Sequence, residues 1–265
     1  MADYETISYE TFDGYAVITL NRPEAMNALN LKLLDELPQA VLEFENDDSL
    51  FAAILTGAGG RAFSAGGDLK EAAGYMGTGK DPRLMDAPRQ FKPTISVIAD
   101  CRKPIIAAID GHCLAGGLEV ALGADFRFAT RKSQFGIPEV KRSLIAGPGT
   151  IMLPRLIPKS EALYLAITGE TIDADRAYQL GLIQGVFEDR EALFAHVERI
   201  AGIIASNPPL AVEWNKTVVR VGAEMTIEHA YALRAKYFDA IIQTEDGAEG
   251  SKAFAEKRKP VWKRR

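Results

Sequence analysis

Four short, largely apolar runs, at residues 16–20, 52–56, 105–109 and 126–129, punctuate the first half of the chain, the first three carrying β-branched residues and followed by small or turn-forming residues. Runs of this length bounded by Gly, Pro or Asp are strands. Helical patterns fall between them. Residues 31–45 place Leu33, Leu34, Leu37, Val41, Leu42 and Phe44 at helical spacing, and residues 118–124 begin straight after a glycine pair. This alternation restricts the chain to α/β architectures, in which helices cover a largely parallel sheet. From Glu188 onward the strand signal stops. Residues 191–205, 209–221, 227–242 and 245–257 are each amphipathic at helical period, with a break at Asn207-Pro208-Pro209. The expected organisation is a core over residues 1–190 that carries the site, followed by a helical region over 191–265. The apolar stripes of that region need covering by the core or by another subunit. Residues 77–93 show no period and are expected to form a mobile loop, in which Met85 and Phe91, with nearby Met76, are candidates to line an apolar pocket.

At 265 residues the chain is near the upper size of a single hydrophobic core. Its 31 basic and 36 acidic residues give a net charge of −5, which excludes a general attraction for nucleic acid or anionic membranes. A basic cluster at residues 257–265 is a local exception. Cys101 and Cys113 lie in apolar sequence without ligand spacing, so they read as buried reduced thiols rather than a disulfide or zinc site. His112, His196 and His229 are scattered, and no metal is implied. The opening Met1-Ala2-Asp3-Tyr4-Glu5 is not a leader pattern, and no apolar stretch has the length of a membrane span. A cytoplasmic protein is expected.

Two glycine-rich turns each follow a strand and open a helix: Arg61-Ala62-Phe63-Ser64-Ala65-Gly66-Gly67-Asp68-Leu69-Lys70, and Asp110-Gly111-His112-Cys113-Leu114-Ala115-Gly116-Gly117-Leu118-Glu119. Unpaired N–H groups at a helix start can meet a polarised oxygen, so two converging turns can form an oxyanion hole. Neither turn has a Walker or dinucleotide pattern. Ser64 lacks the nucleophile-elbow context. Glu119 lies in the first helical turn after Gly116-Gly117, and Glu139 follows Phe135-Gly136-Ile137-Pro138. Each carboxylate alone reads as a dipole partner or a surface charge.

In combination these motifs resemble the enoyl-CoA hydratase/isomerase (crotonase) family. The matching elements include Ser64-Ala65-Gly66-Gly67-Asp68-Leu69, the stretch through Gly116-Gly117 to Glu119, and Phe135-Gly136-Ile137-Pro138-Glu139. Asn21-Arg22-Pro23 with Asn27-Ala28-Leu29, Gly181-Leu182-Ile183 and Ala253-Phe254-Ala255-Glu256-Lys257-Arg258 also match. The resemblance implies a spiral of β-β-α repeats with a helical C-terminal trimerisation region, assembled as a homotrimer or a dimer of trimers. It implies that the N–H groups of Ala65 and Gly116 form the oxyanion hole. It places Ala25, Ala65, Gly66, Gly67, Asp68, Leu69 and Gly116 along the acyl-CoA, with Phe254 and Lys257 at the CoA nucleotide of a neighbouring subunit. Glu119 and Glu139 would hold water and transfer protons across a 2,3 double bond. Coenzyme A is then part of the substrate, and no separate cofactor is expected. One oxyanion donor is worth roughly 3 to 4 kcal/mol of barrier.

The stretch Ser143-Leu144-Ile145-Ala146-Gly147-Pro148-Gly149-Thr150 reads about one residue shorter than in the family's hydratases, and Pro148 has no N–H to offer a water. Isomerisation, or dehydration of a 3-hydroxyacyl-CoA as in carnitinyl-CoA dehydratases, therefore remains open beside hydration. A non-catalytic CoA- or RNA-binding protein is a third reading, against which the intact glutamate pair argues.

Overall fold

The computed structural model describes residues 4–74 and 93–265. The loop expected from Gly77, together with Met76, Met85 and Phe91, lies outside them as far as residue 92; Pro93 opens a helix. Among the described residues ten strands form two sheets. The larger contains, in spatial order, β1 (Ile7–Thr11), β2 (Tyr15–Leu20), β3 (Ala52–Gly57), β5 (Ile105–Ile109), β7 (Phe126–Thr130) and β10 (Gly185–Phe187). Only its β1/β2 pair is antiparallel. The smaller contains β4 (Ala62–Ser64), β6 (His112–Leu114), β8 (Gln134–Gly136) and β9 (Ile172–Asp173).

The chain visits the sheets in turn. β3 leads to β4, β5 to β6 and β7 to β8, and each pair is followed by helical structure before the next strand of the larger sheet. That is the expected spiral of β-β-α repeats. The four apolar runs are β2, β3, β5 and β7. Of the strands of the second sheet, β4 and β6 lie inside the glycine-rich turns, and all four, at two or three residues each, are too short to show an alternating pattern.

Helix α1 (Leu31–Asn46) starts where Asn30 accepts from the Leu33 N–H. It is followed by α2 (Leu69–Ala72), α3 (Pro93–Asp100) and α4 (Gly116–Gly123). A 3-10 helix (Pro138–Arg142) precedes α5 (Pro148–Leu156), α6 (Lys159–Thr168) and α7 (Ala174–Gln179). β3 and β5 are buried on both faces, as parallel strands under helices require. Ala53, Leu55, Ile105, Ala107 and Ile109 face an inner core shared with α1 and α4. Ala52, Ile54, Ile106 and Ala108 face Leu193, Val197 and Ala201 of α8 (Arg190–Ser206). The first helix of the C-terminal region thus covers the outer face of the main sheet.

Beyond it, α9 (Pro209–Gly222) and α10 (Ile227–Ile241) pack as a hairpin, with Trp214 and Tyr237 rings 5.5 Å apart, before α11 (Glu245–Ala255). α10 buries none of its residues, and Ile227, Tyr231, Phe238 and Ile242 are exposed.

Candidate functional site

Glu119 lies on α4 with its side chain buried at 6% exposure. Its Oε1 accepts the backbone N–H of Gly149 at 2.8 Å. That donor comes from the first turn of α5, whose exposed N–H groups and dipole favour a negative charge. Pro148 occupies the first helical position, where a missing N–H costs nothing. The shortened glycine stretch therefore delivers its donor to Glu119 through Gly149.

Burial raises the Glu119 carboxyl to about 7, and the nearby Glu139 charge adds to the effect, while the Gly149 and Gly147 N–H groups oppose it. Glu139 sits in the first turn of the 3-10 helix after Pro138. Burial raises it as well, against the pull of its own backbone N–H and of Arg142. Its Oε2 is buried and has no hydrogen-bond partner among the described residues. A buried acceptor without a partner is costly, so this oxygen is suited to a water or a substrate proton.

The two glycine turns meet beside this pair. Gly66 adopts φ +92°, and a Cβ on it would lie 2.5 Å from the Ala115 Cβ, so only glycine allows the approach. Ala115 is itself held at φ 53°, a strained backbone that redirects the chain into α4. The Gly66 carbonyl accepts from Leu29 at 2.8 Å, and the Asp68 N–H donates to the Leu29 carbonyl at 3.0 Å. In this extended pairing the intervening Gly67 N–H faces away from Leu29. Neither it nor the Gly116 N–H meets an acceptor among the described residues. The Gly67 nitrogen lies 3.7 Å from the place a Gly116 Cβ would occupy, so the two free donors are close together.

Ala65 departs from its expected role. Its N–H donates to the Met26 carbonyl at 3.0 Å and is not free for an oxyanion. The acceptor is supplied from 39 positions earlier in the chain, which no local motif announces. The free donor is Gly67, two residues further on and exposed.

The remaining candidates divide into frame and rim. Asp68 caps α2 by accepting from Lys70 and Glu71 and pairs with Arg22 at 3.0 Å, so its carboxylate is committed to the fold. Arg22 also donates to the Ala28 carbonyl at 2.6 Å. Asn27, fully buried, accepts from the Arg22 N–H and donates to the carbonyls of Ala58 and Ala62. Asn21-Arg22-Pro23 and Asn27-Ala28-Leu29 thus brace the first glycine turn. Ala25 is half-buried, Gly66 is buried and Leu69 is exposed at the rim. Phe254 and Lys257 stand exposed at the end of α11. His112 is half-buried, with an unpartnered Nδ1. Cys101 and Cys113 are buried free thiols. Among the described residues no cluster of His, Cys, Asp and Glu could hold a metal ion, and no helix is long and apolar enough to cross a membrane.

A family model described as enoyl-CoA hydratase/isomerase matches residues 10–265. A crotonyl-CoA hydratase of Syntrophomonas wolfei is 38% identical over 261 residues, covering 97% of each chain. A carnitinyl-CoA dehydratase of Citrobacter koseri is 37% identical, covering 98% of this chain and 99% of the relative. Among solved structures, the enoyl-CoA hydratase of Bacillus anthracis superposes with a TM-score of 0.92 at 35% identity, covering 98% of this chain and all of that one.

Proposed function

Because the chain belongs to the enoyl-CoA hydratase/isomerase family, we propose that it adds water across the 2,3 double bond of a 2-enoyl-CoA thioester, with Glu119 and Glu139 as the acid/base pair. The observation that carries this reading is the difference between the two carboxyls. Glu119, at about 7, can hold a proton at neutral pH, whereas Glu139 is raised without that added charge and presents an unpartnered buried oxygen. Glutamates in unlike environments divide the roles of acid and base.

In the proposed reaction Glu139 takes a proton from water as its oxygen bonds to C3. The π electrons move through C2 onto the thioester oxygen, where the N–H groups of Gly67 and Gly116 stabilise the enolate. The protonated Glu119 then delivers its proton to C2, giving the 3-hydroxyacyl-CoA. Gly149, by holding Oε1, leaves the other Glu119 oxygen for this transfer. Run backwards, the same groups dehydrate a 3-hydroxyacyl-CoA, the direction named for the carnitinyl-CoA dehydratase relative.

Phe254 and Lys257 bind the nucleotide of the substrate in a neighbouring subunit. The uncovered apolar residues of α10 support assembly as a homotrimer or dimer of trimers. Buried reduced thiols at Cys101 and Cys113 fit a cytoplasmic location.

The test is the loss of enone absorbance on adding the enzyme to crotonyl-CoA. Hydration by the wild type, with rates lowered about 10²-fold or more in Glu119→Gln and Glu139→Gln, is expected of positioned acid/base groups. An enzyme that binds crotonyl-CoA without turnover, or full activity in either variant, would overturn the assignment.

A further inference from the structure

Residues 260–265 have no part in this chemistry, yet they are fastened back onto their own protomer. Asp246, 3% exposed at the start of α11, accepts the N–H groups of Lys263 and Arg264 at 2.7 and 2.9 Å and donates its own N–H to the main-chain oxygen of Arg265 at 3.1 Å. Glu249, one turn on, accepts from the Val261 N–H at 2.9 Å and takes both arms of Arg258. The Trp262 indole donates to the Ser206 carbonyl at the end of α8, at 2.9 Å. Arg264 reaches Asp48, in the turn before β3, and the buried Glu213 of α9 at 2.8 Å. A single segment therefore ties α11 to α8, α9 and the edge of the core.

The helix needs those ties. Of its 11 residues only Asp246 and Ala253 are buried, so it lacks an apolar face large enough to hold it, and a helix this short is marginal without tertiary support. The charges around α11 are sorted. Arg258, Lys263, Arg264 and Arg265 are all paired with carboxylates, whereas Lys257 and Lys259 form no salt bridge among the described residues and Lys252 acts on Glu249 only through its charge; Lys252 and Lys257 lie two and three positions from Phe254, which is 89% exposed. Lysines close in sequence to an exposed ring suit a phosphorylated, stacking ligand. The cavity of about 480 Å³ between α11 and the tail is lined by groups, among them Glu245, Glu249, Arg258 and Lys263, that already neutralise one another.

We infer that residues 260–265 form a strap, locked by Asp246 and Arg264, that holds α11 in the position from which Phe254 and Lys257 meet the nucleotide end of a CoA thioester. Asp246 and Arg264 are positioning residues: they touch no ligand and set where α11 stands. The inference rests on the proposed reading of the ligand as an acyl-CoA.

The experiment is calorimetric titration with butyryl-CoA and with butyryl-pantetheine, which lacks the nucleotide. The proteins are the wild type, a chain ending at Pro260, and the full-length variants Asp246→Asn and Arg264→Ala, which cover the case in which the shortened chain does not fold. The Kd for butyryl-CoA is expected to rise about tenfold in the altered proteins, the scale of the ordering cost of the freed side chains, with that for butyryl-pantetheine unchanged. An equal loss for both thioesters, or no loss for butyryl-CoA, overturns the inference. So does a wild type that binds the two equally. A selective loss in a protein that fails to hydrate crotonyl-CoA supports the strap and overturns only the hydratase reading.

Discussion

The backbone N–H of Gly149 donates to Glu119 Oε1 at 2.8 Å, joining the first turn of α5 to the carboxylate that α4 presents. A Cβ at residue 149 would lie 3.1 Å from Ile137 Cγ2 and 3.2 Å from that same oxygen. Gly149→Ala must therefore displace the carboxylate or the helix start. Steady-state kinetics should show kcat lowered at least about tenfold, because a misplaced acid/base group forfeits much of its contribution. Pro148→Ala, at a position whose N–H has no required acceptor, should keep kcat within about threefold of wild type. Equal effects from the two substitutions would refute the positioning role of Gly149.

The raised glutamates set a pH profile. With Glu119 lifted to about 7 and needed as an acid, kcat/KM should fall as pH rises past that value, and it should fall at low pH as Glu139 becomes protonated. In Glu119→Gln the residual activity should lose the upper limb.

Stability moves with the same groups. A carboxyl whose folded pKa lies above its unfolded value binds more protons when folded, so its stabilising contribution is complete below the unfolded value of 4.5 and is lost as pH rises through about 7. Urea denaturation at pH 8 should find Glu119→Gln more stable than wild type, by up to roughly 3 kcal/mol. No gain at pH 8 would contradict the raised carboxyl.

The distinction between Gly67 and Ala65 can be tested at a single atom. Replacing the backbone amide of residue 67 by an ester removes one free N–H and should lower kcat by about 10²- to 10³-fold. The same replacement at residue 65 removes only the bond to Met26 and should cost about 1 kcal/mol of stability while leaving kcat near wild type. The reverse pattern would restore Ala65 as the oxyanion donor.

The exposed face of α10 predicts self-association. Tyr231→Glu combined with Phe238→Glu places charges on a helix that buries none of its own residues, so the single chain should fold as before. Sedimentation velocity should then show the wild type as a trimer or larger and the double variant as a smaller species. A monomeric wild type would remove the oligomer from the proposal.

Particular residues show why some of this was legible along the chain and some was not. Strands β3 and β5 follow from local composition, because a strand buried on both faces must be largely apolar, and β2 and β7 from their mostly apolar runs. Helix α1 announced its face by spacing and its start by Asn30. Glu119 and Glu139, each of which alone reads as a dipole partner or a surface charge, could be nominated only because the combined motifs resemble the family's. The brief strands β4, β6, β8 and β9 were hidden, since their pairing is decided by neighbours distant in the chain.

The sequence by itself determined the alternation of strand and helix, the helical C-terminal region and the two glycine turns, all of them properties of local pattern, while the spiral and the pairing of Glu119 with Glu139 followed from the resemblance of the combined motifs to the family. Tertiary structure alone decided which N–H groups stay free, because that depends on where the carbonyls of Met26 and Leu29 arrive. It likewise decided that Gly149 holds Glu119, that burial lifts that carboxyl to about 7, and that Asp246 gathers the C-terminal strap. Hydrogen-bond satisfaction and desolvation are set by residues far apart in sequence, and only the folded chain brings those residues together.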